Sequence, residues 1–255
     1  MADSVIFDQA AGCYDRTRQL PAETAAAQTA QLAGEIAGVT GPVLEIGVGT
    51  GRIAVPLAEV GIQVLGVDLS APMLGALAAK ESAVAAARAS ATALPIRAHS
   101  VGAVIACHVL HLISDWQLAV EQALLALRPR GVLLATRGRA LGTIAYELQQ
   151  RVREAAGVPD TVTGLDDLDE LDEFMRGRGA QVDHLPSIPN PQIRSAAEFL
   201  RLVDDNAFAW TWELPAQRRR QAVAQTLAWV SQTIGDPHDV PLPAQPLRWR
   251  SYRMP

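Results

Sequence analysis

Glycines 47, 49 and 51 alternate in Val43-Leu44-Glu45-Ile46-Gly47-Val48-Gly49-Thr50-Gly51-Arg52, directly behind an apolar run. Glycine accepts positive φ and lets a ligand approach the main chain, and the free N–H groups of a helix's first turn favour a negative group. Strand, glycine loop and helix in that order are built to hold a nucleoside-like cofactor. Asp68 closes a second apolar run, Ile62 to Val67. A carboxylate at such a strand end accepts hydrogen bonds from two vicinal ribose hydroxyls, which dinucleotide and adenosyl cofactors both offer. His108 and His111 follow another apolar run. Imidazole titrates near neutral pH, so each is a candidate general base, set against the reading of a hydrogen-bonded structural histidine. Cys107 beside them reads as a small buried residue, not a nucleophile.

Spacing separates the cofactors. The dinucleotide fingerprint G-x-G-x-x-G has its third glycine where Arg52 stands here, and the glycine comes one position early, at Gly51. A nicotinamide-dependent oxidoreductase is disfavoured on that ground. Val-Leu-Glu-Ile-Gly-Val-Gly-Thr-Gly resembles motif I of the class I, or Rossmann-like, methyltransferases that use S-adenosylmethionine, a cofactor offering a carboxylate in place of a pyrophosphate. Asp68-Leu69-Ser70-Ala71-Pro72-Met73-Leu74 is similar to the family's second motif, which implies cofactor contacts at Asp68 and Leu69 and packing of Met73 on the adenine face.

Ser90-Ala91-Thr92-Ala93-Leu94-Pro95-Ile96 resembles the family segment Asp-Ala-x-x-Leu-Pro-Phe, with Ser90 in place of the aspartate that takes the adenine amino group. A neutral hydroxyl accepts that hydrogen bond more weakly than a carboxylate. Val104 to Leu112 matches the region after the family's fourth strand, implying that main-chain carbonyls near Cys107 meet the methionyl amine. Phe7-Asp8-x-x-Ala11-x-x-Tyr14-Asp15 resembles the N-terminal helix of small-molecule methyltransferases of the ubiquinone and menaquinone biosynthesis type, in which a tyrosine, here Tyr14, closes over the cofactor. The alternative is a surface helix packing Phe7 and Tyr14 on the core. Glu45 has two open readings: contact with the cofactor's amino group through water, as the resemblance implies, or capping of the glycine-loop amides.

The elements that must position these residues alternate. Strands are expected at 43–46, 62–67, 84–88, 103–107 and 131–136, and helices near 21–37, 51–60, 71–82 and 115–128. That alternation gives an α/β fold with a doubly wound, mostly parallel sheet. Beyond Thr136, helices are expected over 141–156, 165–178, 196–204 and 214–233, with a strand at 181–185. Leu247 to Arg253 alternates apolar and basic residues as a half-exposed edge strand would, and it resembles the antiparallel last strand of the family's seven-stranded sheet. The organisation expected is N-terminal cap helices over 1–40, a Rossmann-like core over 41–137, and completion of the sheet with helical substrate-cap insertions over 138–255. Phe208, Trp210 and Trp212 either line an acceptor site, favouring a flat or cationic molecule, or face the core.

At 255 residues with 49% apolar and 19% charged residues, the chain can bury one sizeable core. Its formal charge of -5 opposes a polyanionic partner, and Arg218-Arg219-Arg220 reads as a solvated helix face. Cys13 and Cys107 are the only cysteines and lack metal-ligand spacing, which points to no disulfide framework, no metal and a cytoplasmic protein. The N-terminus lacks the pattern of a signal peptide, and no apolar run approaches membrane-spanning length. The resemblance implies methyl transfer from S-adenosylmethionine to a small, partly apolar acceptor, with no nucleic acid and no membrane. Its sulfonium already activates the methyl group, so positioning supplies most of the catalysis and a base is needed only if the acceptor must lose a proton. The rival reading is a non-catalytic methyltransferase-fold binding or regulatory protein, for which the departure at Ser90 speaks.

Overall fold

A strand covered on both faces reads as an unbroken apolar run, because its side chains alternate between two buried layers. The computed structural model describes residues 7–8, 11–12, 14–137, 143–159, 163–212 and 214–255. Its strands are β1 (Val43–Ile46), β2 (Val64–Asp68), β3 (Ala85–Arg88), β4 (Val101–Cys107), β5 (Leu127–Thr136), β6 (Gln181–His184), β7 (Ile193–Ser195), β8 (Pro241–Pro243) and β9 (Arg250–Arg253). Seven of them form one sheet in the order β3-β2-β1-β4-β5-β9-β6, while β7 and β8 pair separately. β1 to β5 run parallel to one another, and β9 runs antiparallel to both β5 and β6. This is the doubly wound, mostly parallel sheet expected.

The helices are α1 (Tyr14–Arg18), α2 (Ala22–Ile36), α3 (Ala54–Glu59), α4 (Ala71–Ala78), α5 (Trp116–Ala126), α6 (Ile144–Ala156), α7 (Leu168–Arg176), α8 (Ala196–Asp204) and α9 (Ala216–Thr233). β4 shows how two layers share one strand. Val104 and Ala106 pack with Trp116 and Val120 of α5 and Leu171 of α7, whereas Ala103 and Ile105 pack with Leu32 of α2, Leu57 of α3 and Leu77 of α4. Two helix boundaries lie inside the expected ones for backbone reasons. Gly51 at φ 83° holds α3 back to Ala54, and Glu81 at φ 50° follows the early end of α4.

The expected edge strand is interior, and this corrects the reading of its period-two pattern. β9 lies between β5 and β6, with Trp249, Ser251 and Tyr252 fully buried. Two arginines of that pattern are paired, Arg253 Nη2 donating to Glu35 Oε2 at 2.8 Å and Arg250 Nε to Asp172 Oδ2 at 3.3 Å, while Arg248 is exposed. Asp172, itself buried, also accepts the Tyr252 hydroxyl at 2.7 Å. Burial and that carboxylate hold the Tyr252 phenol well above its ordinary range, so it stays a donor. Arginine stems and paired carboxylates imitate a polar outer face in sequence while lying inside the protein.

Beyond β5 the chain builds a second helical layer. Val152 and Ala156 of α6 pack against Leu200 and Val203 of α8 and Ala222 and Val223 of α9, and Phe208 and Trp210 pack on this cluster. A capping box between Ser195 and Glu198 starts α8. Arg219 donates to the Asp204 carbonyl and to Asn206 Oδ1, each at 3.0 Å, so the middle of the basic run is a structural tie, while Arg218 and Arg220 are exposed. Cys13, the first six residues and the start of the helix expected from Leu141 lie outside the described residues. Among the described residues, no helix is long and apolar enough to cross a membrane.

Candidate active site

The glycine loop is shaped by close packing on three sides. Gly47, Gly49 and Gly51 have φ of 68°, 53° and 83°, conformations in which a side chain is strained. A Cβ would also lie 2.5 Å from Val109 Cγ2 at Gly47, and 2.5 Å from Leu77 Cδ1 at Gly51. Gly66 of β2 completes the arrangement, because its missing Cβ leaves room for the Val48 side chain, 2.7 Å from where that atom would be. The loop is locked to β2 by Asp68. Its Oδ2 accepts the Gly49 amide and its Oδ1 the Ser70 amide, both at 2.8 Å.

Over this floor lies an open cleft. Gly47 and Gly49 form its base; Asp68, Leu69 and Met73 line it from β2 and α4; Ser90 and Ala91 line it from the end of β3. Cys107 and His108 reach it from the end of β4, and Phe7 and Tyr14 from the N-terminal segment. Ser90 Oγ accepts the Thr92 amide at 3.2 Å and lies 2.8 Å from Thr92 Oγ1, a local turn that orients this rim. Gly51 sits beneath the cleft, against Leu77 and Val55. Glu45 and His111 also lie outside its lining.

Lys80, the chain's single lysine, fastens the N-terminal segment over the loop. Its Nζ donates to the Thr50 carbonyl at 2.7 Å and pairs with Asp15 Oδ2 at 2.8 Å, while the Thr50 hydroxyl donates to Asp15 Oδ1. Burial opposes ionisation of Asp15, yet the hydrogen bonds from Lys80 and Thr50 hold its carboxyl below the usual range. The ion pair thereby sets Tyr14 at the rim.

Behind the loop, Glu45 is 2% exposed, with the Ala54 amide at the start of α3 acting on its carboxyl. Its Oε2 is buried without a hydrogen-bond partner. Burial pushes its carboxyl up to about 8, against the opposing pull of Arg52 and the Ala54 amide. The unfolded chain therefore releases this proton near its ordinary value of 4.5 while the native state keeps it to about 8, so stability falls as pH rises across that interval. Glu45→Gln is expected to flatten that fall. Melting temperatures of both proteins from pH 4.5 to 8 test it, and parallel curves would refute a proton held by Glu45.

The two histidines differ. His108 stands at φ 52°, a left-handed conformation uncommon outside glycine, with its amide donating to the Thr136 carbonyl at 3.0 Å. Burial, then Arg52, His111, Arg18 and Arg137, hold its imidazole well below the usual range. His111 is pushed down to about 4 by burial, then by Arg137 and Arg18. Both rings are neutral at pH 7, and His108 is the one at the cleft. Cys107 is raised to about 11 by burial, which keeps it a thiol and fits its reading as a packing residue.

Solved structures share this architecture over nearly the whole chain. YcgJ of Bacillus subtilis superposes with a TM-score of 0.61 at 16% identity, over 89% of this chain and 99% of that one. A methyltransferase attributed to an antibiotic biosynthesis pathway of Anabaena variabilis gives 0.63 at 17% identity, over 89% and 96%. A SAM-dependent methyltransferase of Thermotoga maritima gives 0.56 at 16% identity, over 98% of both. Such identities speak for the fold alone, and no curated protein matches the chain in sequence. Residues 44–135, from β1 to the end of β5, match a family model described as a methyltransferase domain. That stretch is a methyltransferase domain, and the activity it carries is methyl transfer from S-adenosylmethionine.

Two groups of this methyltransferase's site escape a reading of the sequence. Arg52 marks only a departure from the dinucleotide spacing there, whereas in the fold its Nη2 donates to Cys107 Sγ at 3.5 Å and joins the glycine loop to the end of β4. Lys80 looks like an ordinary helix-end charge. The signal for both is their proximity to the glycine motif, but the partners Cys107 and Asp15 come together only in the folded methyltransferase.

Proposed function

We propose that this methyltransferase acts on a small, partly apolar acceptor of the kind handled by the ubiquinone and menaquinone type, and not on nucleic acid or a membrane. When bound, S-adenosylmethionine supplies a methyl group already activated by its sulfonium. The residues present fit that cofactor. Asp68 keeps lone pairs beyond the two amides it accepts, enough for two ribose hydroxyls at the cleft wall. Leu69 and Met73 offer apolar surface for the adenine, and Ser90 and Ala91 its amino edge. The main chain at Cys107, with the guanidinium of Arg52 beside it, offers polar groups to the methionyl end. Glu45 stands behind the loop as a second candidate there, reached through water.

Phe7 and Tyr14 exclude water from above, and Trp212 backs Phe7 edge-on at 4.8 Å between ring centres. His108 borders the acceptor side and, being neutral, can take a proton if the acceptor must lose one. The observation that carries the reading is Asp68, pinned by the loop's own amides at the wall of a cleft floored by glycine. Calorimetry with S-adenosylmethionine, S-adenosylhomocysteine and NAD tests it. The first two are expected to bind and NAD is not; preference for NAD would overturn the assignment.

Ser90→Asp is expected to leave cofactor affinity equal or improved. Aspartate supports the same local turn through the Thr92 amide and adds a charged acceptor at the proposed adenine-amino position. The dissociation constant and melting temperature are measured together, and a large loss of both would place Ser90 outside the adenine site.

A further inference from the structure

We propose that the acceptor carries an anionic group, a carboxylate or a phosphate, and that Arg137, with Arg18 and His111 around it, seats that group beside the cleft. The inference rests on the small-molecule methyl transfer proposed above and narrows its substrate class. Cys107 and Thr136 are register partners at the ends of the parallel strands β4 and β5. The residues that follow them, His108 and Arg137, therefore leave the sheet side by side, above the crevice where open α/β sheets bind ligands. The Arg137 side chain is 11% exposed, while that of Asp166, its partner at 3.4 Å, is 48% exposed. The cation is thus held inside, and this one of its partners lies toward solvent.

Other positive groups bear on the same two histidines. Arg18, at the end of the α1 helix that carries Tyr14, and Arg137 are both close enough to act electrostatically on His108 and His111. His111 adds an orphaned polar atom: its Nδ1 is buried without a hydrogen-bond partner. A buried polar atom left unpaired in a protein costs free energy and calls for a ligand or water. Guanidinium groups that match planar carboxylate and phosphate oxygens, next to an unsatisfied imidazole, make a seat for an anion.

The cationic acceptor suggested by the aromatic residues fits poorly. Arg18 Cζ lies 5.0 Å from the centre of the Phe208 ring, and Arg153 Cζ lies 4.9 Å from that of Trp210. The protein's own cations already occupy those ring faces, and a positively charged acceptor would meet repulsion from them. An anion seated near Arg137 also acts on the neighbouring base, because a negative charge beside an imidazole favours its protonated form. The group that orients the acceptor would then restore basicity that burial and the arginines have removed from His108.

The test uses benzoate, phenyl phosphate and benzylamine as probes, titrated by calorimetry into the full chain saturated with S-adenosylhomocysteine. One or both anions are expected to bind at least about tenfold more tightly than the amine, and the two anion arms tell carboxylate from phosphate. Arg137→Gln is expected to remove most of that preference while S-adenosylhomocysteine binds as before. Arg18→Gln, which leaves the β5 end untouched, should weaken the same preference if Arg137→Gln fails to fold. Equal binding of the three probes, tighter binding of benzylamine, or no measurable binding of either anion by protein that retains S-adenosylhomocysteine would overturn this inference alone. Failure to bind S-adenosylhomocysteine would overturn it together with the functional reading beneath it.

Discussion

Gly47→Ala is expected to destabilise the protein by roughly 2 to 5 kcal/mol and to reduce S-adenosylmethionine affinity at least about a hundredfold. Two penalties combine. Gly47 has φ 68°, so a side chain pays for left-handed backbone, and the new Cβ would lie 2.5 Å from Val109 Cγ2 and 2.9 Å from Val109 Cβ. Valine is branched and stiff at χ1, so it cannot swing aside as a long flexible side chain could. Val109 also lines the cleft and directly follows His108, so any movement that relieves the clash deforms the site. Gly61→Ala is the control. Gly61 has φ 88° but nothing within 4 Å of a Cβ, so it carries the backbone penalty alone, on the order of 1 to 2 kcal/mol. Denaturant unfolding and calorimetry on both variants separate the terms, and a Gly47→Ala protein no worse than Gly61→Ala would show that the Val109 contact does not shape the site.

Asp68→Ala is expected to lower cofactor affinity by roughly 1.5 to 3 kcal/mol, the usual scale for a hydrogen bond to a charged group, with some loss of stability as well. The stability term arises because the carboxylate accepts from Gly49 and Ser70, and its removal leaves both amides without that acceptor. Asp68→Asn should lose nearly as much. One carboxamide atom is an NH2, which would face either the Gly49 or the Ser70 amide, donor against donor. Isothermal titration beside melting curves reads the two effects. Wild-type affinity in a folded Asp68→Ala protein would remove Asp68 from the ribose site, and a benign Asp68→Asn would show that the loop does not depend on this carboxylate.

Cofactor chemistry was legible in the sequence wherever a local backbone requirement forces a residue type. Gly47, Gly49 and Gly51 all have positive φ, and Asp68 ends β2 beside them, so a short stretch of chain carries its own evidence. The parallel core was legible for a related reason: strands covered by helices on both faces must be apolar throughout, and β1 and β4 are buried at every position. β9 was not, because its neighbours β5 and β6 are far away along the chain and its arginines look solvent-facing until Glu35 and Asp172 are brought against them. The histidines mark the same boundary. Sequence supplies two imidazoles on one short segment, and tertiary packing alone puts His108 at the cleft, leaves His111 Nδ1 buried beyond it, and surrounds both with Arg18 and Arg137. Residue types and spacings determine what a strand, a glycine loop or an acidic strand end can do, because those demands act over a few bonds. Burial and charge at a side chain depend on groups contributed from distant parts of the chain, so only the folded structure decides them.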